Sequence, residues 1–341
     1  MKLESILNTI KGKTIAVVYI FEKEEAKGYD HFYIWKNELL TKWINAIYEI
    51  ECIPYLLDLR TFIFKASNNT LPHIDYVLNL NNGCVELSTM SLVPSLCGFL
   101  SIPCIPCNSL TMLSCENKNI ANCIVRSSKI NVPSNLERSK EEGIYRPKSL
   151  GNSLGVRIGK ELDGDGVYQE FIFGYDITIP FLYNIDQLRI EAMPSTLYLP
   201  NSLNPKWIYD EKAKIDDKGF KTVLFEIQNK ELLDELIKLV NIFEVNTFAR
   251  IDARIKTNKK ELSDNILSYD FSLDDFYFIE INSMPTIETD DGFDLAFKNI
   301  YDFKNNKFFQ YIRKYCNAVV NPTVHRFVLL SSIASFITSK C

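Results

Sequence analysis

Two apolar periods alternate along the first third of this chain. Residues Thr14 to Ile20 form a short β-branched run, as a strand buried on both faces would. Trp35, Leu39, Leu40, Trp43, Ile44 and Ile47 then recur at helical spacing. Pro54–Leu59 and Tyr76–Leu80 read as two further strands. Strand, helix and strand in succession predict an open α/β unit over residues 1–110, an ordinary domain size.

A second unit is expected over 111–173, starting with a helix that runs through Lys118 and Cys123. Pro133–Gly143 is a polar connector, and short strands flank a glycine-containing loop at Gly151–Gly155. Asp163-Gly164-Asp165-Gly166 reads as a tight hairpin turn into the strand Val167–Ile172. The remainder, 174–341, mixes strands with a helix over Lys230–Phe243, whose stripe is Leu233, Leu236, Ile237 and Val240. The polar stretch Thr257–Asp275 predicts an extended, solvated hairpin between two strands.

Composition narrows the class. With 341 residues, 46% hydrophobic and 24% charged, the chain is an ordinary globular protein. A net charge of −5 with interspersed signs argues against nucleic acid as the main partner. The nine cysteines are odd in number and crowd between Cys84 and Cys123, unlike a secreted disulfide framework. The opening Met1-Lys2-Leu3-Glu4-Ser5 lacks a signal-peptide pattern, so a reducing cytoplasm is the expectation. Cys104-Ile105-Pro106-Cys107 has no second pair at metal-binding spacing and reads as core and loop cysteines. The apolar segment Phe327–Ile337 is short for a membrane span and carries Ser331, Ser332 and Ser335, so a docked helix is expected.

The chemistry lies in two segments near the end. Alternate residues of a strand share a face. Phe248–Arg254 therefore aligns Arg250, Asp252 and Arg254 on one side, with Ala249, Ile251 and Ala253 behind. Phe278–Asn282 likewise aligns Glu280 and Asn282, backed by Ile279 and Ile281. If the strands pair, three oxygen donors and a guanidinium converge over an apolar floor. Hard oxygen donors suit Mg²⁺, and Arg250 can hold an oxyanion. An amphipathic hairpin with a salt bridge has the same alternation.

Arg250-Ile251-Asp252 followed by Phe278-Ile279-Glu280-Ile281-Asn282-Ser283-Met284-Pro285 resembles the paired magnesium strands of ATP-grasp enzymes, in their D-alanine–D-alanine ligase-like branch. Three upstream blocks extend the resemblance in the same order. Ile102–Lys118 is similar to the segment ending in a nucleotide-binding lysine; Arg146-Pro147-Lys148 through Gly155 is similar to the phosphate loop; Gln169–Ile172 with Gly174–Thr178 is similar to the adenine hinge and its following strand. The resemblance implies an ATP-grasp fold with an N-terminal α/β domain, a small central subdomain and a C-terminal domain. It implies ATP and Mg²⁺ as cofactors, and an amino acid or similar carboxylate joined to an amine. A homodimer formed through the first domain would also follow.

Roles follow on the same footing. Lys118 and Arg146 would contact phosphates, and Gly151, Asn152 and Ser153 would close over them. Gln169, Glu170, Phe171 and Ile172 would line adenine, and Asp176 would accept from the ribose. Lys214 would reach the γ-phosphate and Arg250 the tetrahedral oxyanion, as the catalytic pair. Asp252, Glu280 and Asn282 would hold the metal. None of His31, His73 and His325 is given a catalytic role, since positioning and electrostatics carry such chemistry.

Departures concentrate at the substrates. Asn152 and Ser153 stand for two serines, Ile215 for a tyrosine, and no glutamate clearly matches the one that holds the first ammonium, for which Glu22, Glu24 and Glu25 are candidates. Thr286 follows Pro285 where the family has glycine, and the next segment, Glu288-Thr289-Asp290-Asp291, is acidic where a serine would receive the acceptor's carboxylate. Thr286 and Asp291 are thus substrate-site candidates for an acceptor other than D-alanine. There is also no room for the family's helix between Gly155 and Gln169, so the nucleotide clamp is reduced. An enzyme is one expectation; a degenerate paralogue that binds a ligand or partner without turnover is the alternative.

Overall fold

Four parallel strands build the first sheet: β1 (Thr14–Tyr19), β2 (Ile53–Asp58), β3 (Tyr76–Leu80) and β4 (Cys104–Ile105), in the order β2-β1-β3-β4. In this computed structural model the described residues are 3–20, 37–83, 89–137, 141–149, 151, 153–160, 164–202, 204, 206–210, 212–213, 219–257, 271–288, 291–299 and 307–339. The first helices are α1 (Leu3–Ile10), α2 (Asn37–Glu49), α3 (Leu59–Ser67) and α4 (Leu92–Phe99). Central strand β1 is buried from Ile15 to Val18, which explains its unbroken apolar run.

The single helix expected through Lys118 is two, α5 (Ser109–Glu116) and α6 (Lys118–Val125). Asn117 is the reason. Its extended backbone breaks the helix, its N–H donates to the Leu113 carbonyl, and its side chain accepts from the amides of Asn119 and Ile120. Lys118 therefore opens a helix instead of lying within one.

A small antiparallel sheet follows, made of β5 (Gly143–Pro147), β6 (Arg157–Gly159) and β7 (Gly166–Glu170), in the order β6-β5-β7. This corrects the hairpin expected at 163–166: β6 and β7 flank β5 and do not pair with each other. Gly166 lies so close to the Arg146 carbonyl that a Cβ there would overlap it, which lets β7 settle against β5. Asp163 of that expected turn lies outside the described residues, as do Trp35 and most of the expected 257–275 hairpin.

The large sheet comprises β8 (Gly174–Asn184), β9 (Arg189–Ala192), β10 (Ser195–Pro200), β11 (Phe220–Phe225), β12 (Phe248–Lys256) and β13 (Phe276–Asn282). Its order is β11-β10-β8-β12-β13, with β9 also paired to β8. Helix α7 (Lys230–Ile242) buries Leu232, Leu236, Leu239 and Val240, so its stripe is turned from the expected one: Leu233 and Ile237 are only half-buried. Three helices close the fold: α8 (Gly292–Lys298), α9 (Lys307–Ala318) and α10 (Val324–Thr338).

Helix α10 packs between α2 and β8. Every residue from Phe327 to Ala334 is 0% exposed, so the helix is apolar on all sides because it touches core on all sides. Two of its serines are satisfied inside the helix, Ser332 donating to the Val328 carbonyl and Ser335 to that of Ser332, each at 2.7 Å, while Ser331 meets the Tyr311 hydroxyl of α9. No described helix is long and apolar enough to cross a membrane. Cys97, Cys104, Cys107 and Cys115 are buried, and burial pushes the Cys107 thiol up to about 12. They pack as small hydrophobes.

Candidate active site

Strands β8, β12 and β13 lie side by side, and their register makes the site. Asp252 on β12 faces Glu280 on β13 and Thr178 on β8, while Arg250 faces Asn282 and Arg254 faces Asp176. The irregularity between Asp252 and Ala253 shifts the register just past the Asp252–Glu280 pair. Ala249, Ile251, Ala253 and Ile281 point into the core behind, at 0–1% exposure. The polar row opens into a cleft of about 810 Å³ walled by the small sheet, β8, β10, β11 and the segment leading to α8.

Asp252 accepts from three neighbouring side chains. Arg250 donates to it from Nε and Nη2, both at 2.9 Å, and Thr178 Oγ1 and Asn282 Nδ2 each donate at 2.8 Å. Burial opposes the Arg250 charge, but the Asp252 carboxylate outweighs it and raises the guanidinium's pKa. Three of the expected metal-site residues and the expected oxyanion arginine are thus brought together.

Two further cations meet Glu280. Lys118 reaches it from the start of α6 at 3.3 Å, and Arg146 on β5 donates to the neighbouring Ile279 carbonyl at 2.6 Å. Arg146 also donates through Nη2 to Gln169 Oε1, while Gln169 Nε2 donates to the Pro133 carbonyl. Burial lowers both cations' pKa values against the pull of Glu280, that of Arg146 to about 10. The Arg146 Nε is buried and has no hydrogen-bond partner. Lys118 also feels the Glu116 carboxylate, so two cations and two carboxylates meet at this wall, and the Arg146 Nε is left over as a buried donor.

The far end of the cleft is held by Arg254, 3% exposed. It donates to the Ile172 and Gly174 carbonyls and to Asp176 Oδ1, each at 2.7 Å, and to the Trp207 carbonyl at 2.9 Å. Asp176 Oδ2 accepts from the Tyr209 amide at 2.6 Å. The Arg254 guanidinium lies 5.0 Å from the centre of the Phe171 ring. Tyr209 stacks on Tyr198 at 4.0 Å.

Of the other expected residues, Ser153, Gln169, Glu170, Phe171, Ile172, Thr286 and Asp291 line the cleft. Ser153 Oγ also donates to the Tyr209 carbonyl at 3.2 Å. Gly151 is half-buried and is not among the lining residues. Asp291 caps α8, accepting from the amides of Phe293 and Asp294, and burial pushes its carboxyl up to about 6 against those bonds. Glu22, Asn152 and Lys214 lie outside the described residues, as do Glu24, Glu25 and Ile215. Sequence reasoning passed over Thr178 and Tyr198. Alternation from Asp176 carries the signal for Thr178, and nothing in the sequence marks Tyr198.

No family model matches the sequence, and no curated protein matches it either. Solved structures do match over nearly the whole chain. D-alanine–D-alanine ligase from Bacillus anthracis is similar at a TM-score of 0.60 and 15% identity, covering 96% of this chain and 99% of that one. Its complex with ATP is similar at 0.58, with the same identity and coverage. VanG D-Ala:D-Ser ligase from Enterococcus faecalis is similar at 0.57 and 15% identity, covering 91% of this chain and 100% of that one.

Proposed function

We propose that this chain, which carries the ATP-grasp fold of the D-alanine–D-alanine ligases, is an ATP-dependent carboxylate–amine ligase. The observation that carries the proposal is the buried cationic wall of Lys118 and Arg146, with its unpartnered Nε, set beside the Asp252–Glu280 pair in one cleft. A buried cationic donor without a partner calls for an acceptor, and a polyphosphate supplies one. The division into 1–110, 111–173 and 174–341 follows the three sheets and belongs to the same proposal.

In this reading Lys118 and Arg146 hold phosphates, with Ser153 and the residues around Gly151 and Asn152 as cover. The segment Gln169–Ile172 and Asp176 take the nucleoside end. Lys214 serves the γ-phosphate. Asp252, Glu280 and Asn282 offer hard oxygens from adjacent strands, a donor set that fits Mg²⁺. Bound there, Mg²⁺ would supply charge neutralisation on the phosphates. The substrate carboxylate attacks the γ-phosphorus, the bond to ADP breaks, and an acylphosphate forms. The amine then attacks the acyl carbon, phosphate leaves, and the amine loses a proton. Arg250 would stabilise the tetrahedral oxyanion as a fixed cation.

Asp291, which lines the cleft together with Thr286, favours an acceptor without a carboxylate there, since like charges at close range repel by on the order of 1 kcal/mol even in water. Phosphate release from Mg-ATP with pooled amino acids and amines tests the reaction, with Glu280→Gln as the inactive control. Release that is absent from both proteins sinks the proposal. Efficient D-alanyl-D-alanine synthesis sinks only the acceptor reading. One observation favours the second reading, a binding protein without turnover: four hydrogen bonds from the protein already occupy the Asp252 carboxylate. Nucleotide binding without phosphate release is its expected outcome.

A further inference from the structure

We infer that Arg254 is the positioning residue of this cleft: from β12 it fixes the surfaces that receive the nucleoside, without being one of them. The inference rests on the proposed function and deepens it.

Arg250, Asp252 and Arg254 all reach the cleft from β12, but they serve different ends of it. Arg250 turns both Nε and Nη2 to Asp252. Arg254 instead bonds three separate segments. Its Nε donates to the Ile172 carbonyl, its Nη1 to Asp176 Oδ1, and its Nη2 to the Gly174 and Trp207 carbonyls, all at 2.7–2.9 Å. A planar fork can serve acceptors set around it in this way, whereas a lysine ammonium offers a single nitrogen. With Nε, Nη1 and Nη2 all engaged and only 3% of the residue exposed, this guanidinium acts through its acceptors. Arg146 is the contrast, since its buried Nε keeps a donor for a ligand.

The bonds continue past Asp176. Its Oδ2 accepts from the Tyr209 amide at 2.6 Å, and the Tyr209 carbonyl accepts from Ser153 Oγ at 3.2 Å. The Tyr209 ring stacks on Tyr198 at 4.0 Å, and the Phe171 ring lies 5.0 Å from the Arg254 guanidinium. One side chain thus sets the hinge, Asp176 and the Trp207–Tyr209 segment together. Surfaces locked by their neighbours bind without first having to order themselves, and a slack support costs affinity even where every contacting residue is present. Lys118 and Arg146, which hold phosphates in the proposed reading, are anchored on Glu280, the Ile279 carbonyl and Gln169. Loss of Arg254 should therefore fall on the nucleoside end and spare the phosphate end.

Dissociation constants of Mg-ATP and of inorganic triphosphate with Mg²⁺, measured by calorimetry on the full chain, separate the two ends. In Arg254→Lys the affinity for Mg-ATP relative to triphosphate should fall by at least about tenfold, the equivalent of one hydrogen bond to a charged group. A smaller change in that ratio overturns the inference, including the case in which both ligands weaken together, as lost folded protein would weaken them. A wild-type chain that binds neither ligand overturns the ligase proposal as well. Should Arg254→Lys not fold, hydrogen exchange in the wild-type chain decides. The Tyr209 amide should exchange at least about tenfold more slowly than an open-chain amide, because Asp176 holds it, and faster exchange overturns the inference.

Discussion

Glu280→Gln exchanges a carboxylate for a carboxamide of nearly equal size, so it removes charge without removing volume. Two buried cations respond to the Glu280 charge, Lys118 at 3.3 Å and Arg146 beside it. Breaking a buried ion pair from one side costs about 3–5 kcal/mol. The Glu280 side chain keeps 21% of its surface exposed, so solvent screening puts the expected loss at the low end, about 3 kcal/mol. At about 2 °C per kcal/mol for a large domain, the melting temperature should fall by about 6 °C. Circular dichroism melts at pH 7 would read this, and a cycle with Lys118→Met would apportion it. The double variant should recover at least about 1 kcal/mol relative to the sum of the singles, as residues in contact do. A Glu280→Gln protein that melts within 2 °C of wild type, or a coupling below about 0.5 kcal/mol, would refute the picture of two cations anchored by one carboxylate.

Three further outcomes follow from the same structure. His325 packs edge-on against Trp43 at 4.9 Å, and burial, with Lys42 nearby, lowers its pKa to about 4. A folded value below the ordinary 6.5 means stability present above pH 6.5 is lost as pH falls towards 4; that loss is about 3 kcal/mol in urea titrations, and His325→Phe should flatten it. Gly174→Ala would drive a Cβ into the Ile255 carbonyl across the β8–β12 pair, costing at least about 1–3 kcal/mol in chemical denaturation; a neutral result would mean that these strands pair differently. Leu329→Ala, at a fully buried position of α10, should cost about 2–5 kcal/mol by the same assay.

How far the sequence could be read depended on whether a signal was local. The β1 run and the alternation through Arg250 and Asp252 are short-range patterns, and the structure has them as strands with the expected faces. The break at Asn117 was local too, but Asn carries a cap only if the chain turns there, which helical spacing on both sides concealed. The order β6-β5-β7 depends on which strand edge is free in space, and no window of sequence holds that information. The Arg254 contacts were equally hidden. Its place on the Asp252 face was legible, whereas the acceptors named above sit 47 to 82 residues away along the chain. Where the site's residues meet was therefore foreseeable from strand period, and how their hydrogen bonds are distributed was not.

The position of α10 has a consequence for biosynthesis. Everything it roofs, from α2 to β8, leaves the ribosome well before Val324 is made. During that interval the apolar undersides of the first and largest sheets have no lid, so the nascent chain must be shielded or stay unsettled until this helix arrives. Premature termination between Leu295 and Phe327 should yield a sticky, protease-sensitive product, even though every residue lining the cleft would already have been translated.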